Sequence, residues 1–193
     1  MRRIDPLPAL FFDLADFLGR LGTAYQKIED IFFEEMKKAG TPEALDRYLR
    51  EYPHGRHVAR ASSARLKIAY DAAVKSDTPA AYKTFLHECS EGALAVLARE
   101  RLDELVFREA SSCDDERSYR IYLQSHPDGR HGDDARAAIE RIAYFEAAQA
   151  DNPTGYQRFL DHHPESRYAT RVKERIVTLT AHDSAEKDKQ ETP

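Results

Sequence analysis

The chain has 193 residues, 33% of them charged, with a net charge of −5 and no Trp. That length suits one sizeable core or one elongated array, and is short for two large domains. No stretch approaches the roughly 20 apolar residues of a membrane span, and the mild negative charge gives no general attraction to nucleic acid or an anionic membrane. Only two cysteines are present, Cys89 and Cys113, outside any CxxC pair, so neither a disulfide framework nor a zinc cluster is expected.

The first element is MRRIDPLPALFFDLADFLGR. Asp5, Asp13 and Asp16 interrupt what would be the apolar core of a signal peptide, so a cytoplasmic location is expected. Leu10, Leu14, Phe17, Leu18 and Leu21 make one helical stripe, which Phe11 and Phe12 widen sideways. A cap helix packed on its neighbour would use part of that stripe. The rest is a candidate docking face for a partner helix or for a second copy of the chain.

From Thr41 onward the chain repeats itself every 37 residues. Thr41, Thr78, Asp115 and Asn152 fall in register, and each can accept a hydrogen bond from a free backbone N–H at a helix start. Pro42 and Pro79 follow two of them, where a missing N–H costs nothing. Next come Tyr48-Leu49, Phe85-Leu86, Tyr122-Leu123 and Phe159-Leu160, then Pro53, Ser90, Pro127 and Pro164, then Gly55, Gly92, Gly129 and Ser166. The Pro and Gly columns stop a short helix and let the chain reverse.

Beyond the reversal, Ala61, Ala98, Ala135 and Val172 align, followed by Ile68, Leu105, Ile142 and Leu179 and by the aromatics Phe33, Tyr70, Phe107 and Tyr144. Each such segment runs about twenty residues without Pro and reads as one long helix. The predicted units are therefore helical hairpins at 41–77, 78–114, 115–151 and 152–181. Subtracting 37 extends the frame backward, and residues 1–40 are expected to form a divergent capping hairpin, since terminal repeats present one uncovered face. The tail, residues 182–193, is polar and is expected to be disordered. In this frame the two cysteines stand about 15 Å apart, beyond disulfide reach.

Stacked hairpins phrased YxxFLxxxPxG, as in Tyr156 to Leu160 followed by Pro164, resemble the tetratricopeptide-like superfamily, and are similar to repeats of bacterial envelope-assembly lipoproteins and multidomain bacterial proteins. The likeness covers roughly residues 5–180. It implies an all-α, right-handed α-solenoid of about five stacked helical hairpins that acts as a protein–protein interaction scaffold. The usual pattern of that superfamily has a period of about 34, a Trp and a Pro after the second helix; here the period is 37, Trp is absent and the Pro lies between the helices.

Within the short helices, Leu45, Tyr82, Tyr119 and Tyr156 stand at core spacing. On the opposite face Lys83, Arg117 and Arg120 make a candidate basic patch for an acidic peptide or a carboxylate terminus. A second cationic row sits at the turns, Arg56, Arg130 and Arg167, with Arg60 and Arg171 one helical turn later; these are candidate anion-binding residues for nucleic acid or a phosphorylated ligand. Units 41–77 and 152–180 carry a small net positive charge and the two between them a negative one, so no continuous phosphate-tracking stripe forms and nucleic acid is not the expected partner. His54, His57 and His162-His163 have no converging Cys or carboxylate in this frame, so no metal site is expected, and turn histidines are expected to be solvated. No Gly-rich phosphate loop, GxSxG or HExxH is present, and neither a cofactor nor a catalytic set is expected. The sequence reads as a non-enzymatic adaptor or regulatory subunit, contacting another protein through the N-terminal stripe, with self-association a possible use of it, or through the polar face of the short helices.

Overall fold

A computed structural model describes the backbone of residues 8–190 and the side chains of residues 16–182. Among the described residues the fold is all-α, and its helices pack in chain order. They are α1 (Pro8–Ala39), α2 (Pro42–Glu51), α3 (Val58–Ser76), α4 (Pro79–Glu88), α5 (Ala93–Cys113), α6 (Glu116–Ser125), α7 (Gly132–Ala150), α8 (Pro153–His162) and α9 (Ala169–Gln190). Two compact units, residues 1–98 and 99–193, divide the chain. In the first, α1 packs on α2 and α3, α2 on α3, and α3 on α4; in the second, α6 packs on α7, α7 on α8, and α8 on α9.

Every short helix starts where the side chain of the expected residue caps it. Thr41 accepts from the N–H of Ala44, Thr78 from Ala81, Asp115 from Ser118 and Asn152 from Gly155, satisfying one of the unpaired donors of each first turn. Pro42, Pro79 and Pro153 open three of the four. The residue before each cap, Gly40, Asp77, Asp114 or Asp151, takes a positive φ that ends the preceding long helix.

The repeat also recurs in burial. Leu45, Tyr82, Tyr119 and Tyr156 are buried, as are Tyr48, Phe85, Tyr122 and Phe159, and the column of Ala61, Ala98, Ala135 and Val172 is sealed from solvent at all four places. The Ala and Val side chains are small enough to let a short helix sit close against the long one. This close-packed column is the floor of each repeat.

Two expectations at the ends need correction. Residues 1–40 do not form a hairpin: α1 is one uninterrupted helix from Pro8 to Ala39. The physical reason is the missing stop signal, since the positions held by Pro53 and Gly55 in the next unit are Asp16 and Leu18 here, both compatible with a helix. Nor does the chain lose regular structure at residue 182, because α9 continues to Gln190; no Pro intervenes before Pro193 to end it. The described elements are thus one long helix followed by four pairs of a short and a long helix.

Candidate functional site

The corner between short and long helix is a built cluster, formed twice in nearly the same way. In the first unit, Tyr48 donates its hydroxyl to Glu29 Oε1 (2.6 Å), and the N–H of His57 donates to the Tyr48 hydroxyl (3.2 Å). In the second, Tyr122 donates to Asp103 Oδ1 (2.7 Å), the N–H of His131 donates to the Tyr122 hydroxyl (3.2 Å), and the N–H of Arg130 donates to Asp103 Oδ2 (3.0 Å). Glu29 and Asp103 are both buried, and a buried carboxylate persists only when hydrogen-bonded in this way.

Glycine is required at the corner by space. A Cβ on Gly55 would stand 2.4 Å from Glu29 Oε1 and 2.5 Å from the Tyr48 hydroxyl; one on Gly129 would stand 2.4 Å from Asp103 Oδ1 and from the Tyr122 hydroxyl. Histidine follows because its ring closes the cluster: His57 stacks on Phe33 and His131 on Phe107, with centroids 4.4 Å apart in both. The expected solvation of these turn histidines is therefore wrong, since each ring is stacked and largely covered.

Burial by itself would raise the pKa of Glu29, but hydrogen bonds from Tyr48 and from the backbone of Arg56 and His57 outweigh it and hold the carboxyl below its ordinary value. Burial, reinforced by the hydrogen bond to Glu29, pushes the Tyr48 phenol up to about 12. Tyr122 is raised for the same reasons, burial first and Asp103 second. The hydroxyl and the carboxylate at the centre of each corner are buried and bonded to each other, as in a structural joint. Sequence reasoning missed their carboxylates, because one acidic residue in a long, polar helix looks like part of the solvated face.

Most of the turn arginines have protein partners. Arg56 forms a forked ion pair with Asp30, its Nε donating at 2.8 Å, and His57 Nε2 lies 2.6 Å from the same carboxylate. Arg60 lies 3.9 Å from Glu34 and over the Phe33 ring, and Arg130 lies 3.5 Å from Glu100. Arg167 donates to the Tyr168 hydroxyl (2.9 Å), and Arg171 lies over the Tyr144 ring. As a set they are ordered by neighbouring carboxylates and rings, and three of the five are already charge-matched.

The polar face of the short helices is exposed, as expected. Arg117 and Arg120 both lie on α6, and Arg120 donates to Glu116 on its own helix at 2.7 Å; Lys83 is exposed on α4 of the first unit. Asp46 on this face is matched by Arg65, which also pairs with Glu88 at 3.1 Å and so ties α2, α3 and α4 together. A shallow cleft of about 360 Å³ in the second unit has Ala147 and Phe159 as its floor and Glu116, Arg120, Arg158 and His162 on its rim. Its rim is of mixed charge and its floor apolar, which suits a protein side chain.

The apolar N-terminal stripe is the least covered apolar surface among the described residues. Phe17 and Leu18 are each 57% exposed and Leu21 half exposed, and the stripe continues beyond the residues anticipated, through Tyr25, Ile28 and Ile31, all more than half exposed. Leu10, Phe11, Phe12 and Leu14 belong to the same expected stripe and lie outside the residues whose side chains are described. Every residue from 16 to 28 is exposed, whereas Phe33 is buried against Tyr48. The cap-helix role thus falls to the C-terminal part of α1.

Among the described residues, no group of three or more His, Cys, Asp or Glu is placed to hold a metal ion, and no helix is long and apolar enough to cross a membrane. Cys89 is buried at the end of α4, Cys113 is exposed as the last residue of α5, and both are free. No protein-family model matches the chain, and no curated protein is detectably similar to it in sequence.

Proposed function

We propose that this chain is a non-enzymatic protein–protein interaction scaffold, built as a right-handed solenoid of tetratricopeptide-like helical hairpins and serving as an adaptor or regulatory subunit of a larger complex. The observation that carries this reading is the recurrence of one environment every 37 residues: the same cap, the same buried aromatic and the same sealed small residue at four successive places. A chain organised in this way devotes its interior to stacking like units and leaves its surface for recruitment. The uncovered stripe of α1 and the polar face carrying Lys83, Arg117 and Arg120 are the contact surfaces in this reading, with a few aromatic and Arg anchors supplying most of the affinity.

The competing reading is an electrostatic binder of nucleic acid or a phosphorylated ligand through Arg56, Arg60, Arg130, Arg167 and Arg171. It is the weaker one, because Arg56, Arg60 and Arg130 already have carboxylate partners and would have to release them. The two are separated by comparing proteins captured by the intact chain with those captured by folded Phe17→Asp and Arg117→Glu/Arg120→Glu variants, alongside binding to a polyanion. Loss of a defined protein partner in either variant supports the scaffold. Salt-sensitive polyanion binding that vanishes in an Arg56/Arg130/Arg167 triple alanine variant, with protein capture unchanged, supports the alternative.

A further inference from the structure

We propose that the uncovered stripe of α1 pairs with the α1 of a second copy of this chain, in a parallel, in-register coiled coil. The inference rests on the scaffold reading above and names the partner of one of its surfaces. Phe17, Leu21, Ala24, Ile28 and Ile31 follow one another at spacings of four, three, four and three. That alternation is the heptad seam by which one helix packs along another, and a straight helix that merely covered its own domain would drift off it. In sequence the same spacing reaches back to Leu14 and Leu10, beyond the described side chains.

The seam is distinct from the face α1 uses within its own unit. Glu29 and Phe33, which point at the first hairpin, are buried, while Ile28 and Ile31, their neighbours in sequence, are 58% and 62% exposed. Half-exposed side chains of this size leave on the order of 100 Å² each uncovered, so the stripe with its flanks amounts to roughly 600 Å² per copy. Two copies together would bury roughly 1,200 Å² with those flanks included, at the lower edge of the range of about 1,200–2,000 Å² for a stable association.

Two further observations favour a partner helix, and one of them sets its direction. Gly19 and Gly22 lie within α1 with nothing within 4 Å of where a Cβ would stand, and residues 16–28 are all exposed. Glycine is a poor helix former, so this stretch needs packing to hold it. Beside the seam, Arg20 and Lys27 flank one edge and Leu18 and Tyr25 the other. An antiparallel pair centred on the stripe would set Arg20 against Lys27 of the second copy. A parallel pair instead sets Arg20 beside the exposed Tyr25 of the second copy, placing a cation at an aromatic ring.

The test is sedimentation equilibrium of the full chain, with Leu21→Asp and Ile28→Asp variants beside it. The expected result is a mass of two chains that halves in both variants while far-UV helicity is kept, since both side chains are exposed in the single chain. Should a variant lose helicity, an Ile31→Cys, Cys113→Ser chain gives the second readout: in the parallel register residue 31 faces its own copy and forms an intermolecular disulfide under mild oxidation, whereas in the antiparallel pair it faces Phe17 and its copy stands about 20 Å away. A wild-type chain that sediments as a monomer, or a dimer indifferent to both aspartates, overturns the proposal and leaves the hairpin scaffold standing. A dimer dissolved by the aspartates whose Ile31→Cys form never cross-links overturns the parallel register.

Discussion

Tyr122 donates its hydroxyl to the buried carboxylate of Asp103, and 74 residues earlier Tyr48 holds Glu29 in the same way. The last corner solves the same problem with different residues. Phe159 occupies the tyrosine position and has no hydroxyl, and Ser166 replaces the glycine; its Oγ donates to Glu140 Oε1 at 2.8 Å and accepts from the N–H of Tyr168. In the second repeat the carboxylate position is Leu66, the tyrosine is Phe85 and the histidine is Leu94. The polar cluster is thus kept whole, rebuilt with a serine, or removed whole, as expected if a half-satisfied buried network is worse than none.

The first prediction follows from that exchange. Tyr122→Phe leaves Asp103 short of a donor and should cost about 1–3 kcal/mol in urea unfolding. Gly129→Ser alone should also destabilise. The double variant, which imitates the Phe159–Ser166 pair, should lose less than the sum of the singles, a coupling that a double-mutant cycle measures directly.

Glycine substitutions should divide by mechanism. Gly55→Ala and Gly129→Ala each force an atom into a space bounded at 2.4 Å by a hydrogen-bonded carboxylate, and should cost roughly 1–3 kcal/mol. Gly92 has nothing within 4 Å of its missing Cβ but a φ of +91°, so Gly92→Ala should cost only the backbone strain, about 1 kcal/mol. Thermal melts of the three variants rank them.

The caps should behave as four equivalent sites. Replacing Thr41, Thr78, Asp115 or Asn152 by Ala removes an acceptor for one first-turn N–H and should cost about 1 kcal/mol each. Asp115→Asn should retain most of the cap at neutral pH. Unlike the parent, whose Asp115 is held below its ordinary pKa by the N–H and hydroxyl of Ser118, it should not lose that cap on acidification.

Stability should fall on both sides of neutrality for identifiable reasons. Glu29 and Asp151 have depressed pKa values, Glu29 because its hydrogen bonds outweigh burial and Asp151 because of Arg175 and Tyr156. Their contribution is present above the unfolded carboxylate value and is lost as pH falls through the lower folded one. Tyr48 is the reverse case, raised from 10.0 to about 12, so its contribution is present below pH 10.0 and is lost as pH rises from there through about 12. Glu29→Gln should flatten the acid limb of Tm against pH, and Tyr48→Phe the alkaline limb.

Much of this architecture is legible in the chain because its signals are local. A Thr-Pro start, an aromatic-Leu pair and a Pro-x-Gly stop each act within a few residues, and the structure places all of them as expected. The carboxylates were harder to see, since Glu29 and Asp103 lie 19 residues before the tyrosines that bury them. Column-wise exchange points to them, because the tyrosine and the histidine change together and the acid gives way to Leu66 in the one repeat whose corner has neither the tyrosine nor the serine. The same holds at the long-helix ends, where Tyr119 and Tyr156 donate to Asp114 and Asp151 while the first unit has Leu45 and Gly40 in those places. The unbroken α1 departs from the 37-residue frame because Asp16 and Leu18 stand where the next unit has its stop signals, Pro53 and Gly55.

The central claim, that the chain is a tandem series of interchangeable hairpins, is tested most directly by deletion in register. Removing residues 115–151 joins Asp114 to Asn152 and restores a helix end followed by a cap, whereas removing a block of about thirty residues from the same region joins positions that are not equivalent. The account predicts that the in-register deletion unfolds cooperatively with near-parental helicity per residue and that the out-of-register one does not. Loss of folding in both, or equal tolerance of both, would contradict it.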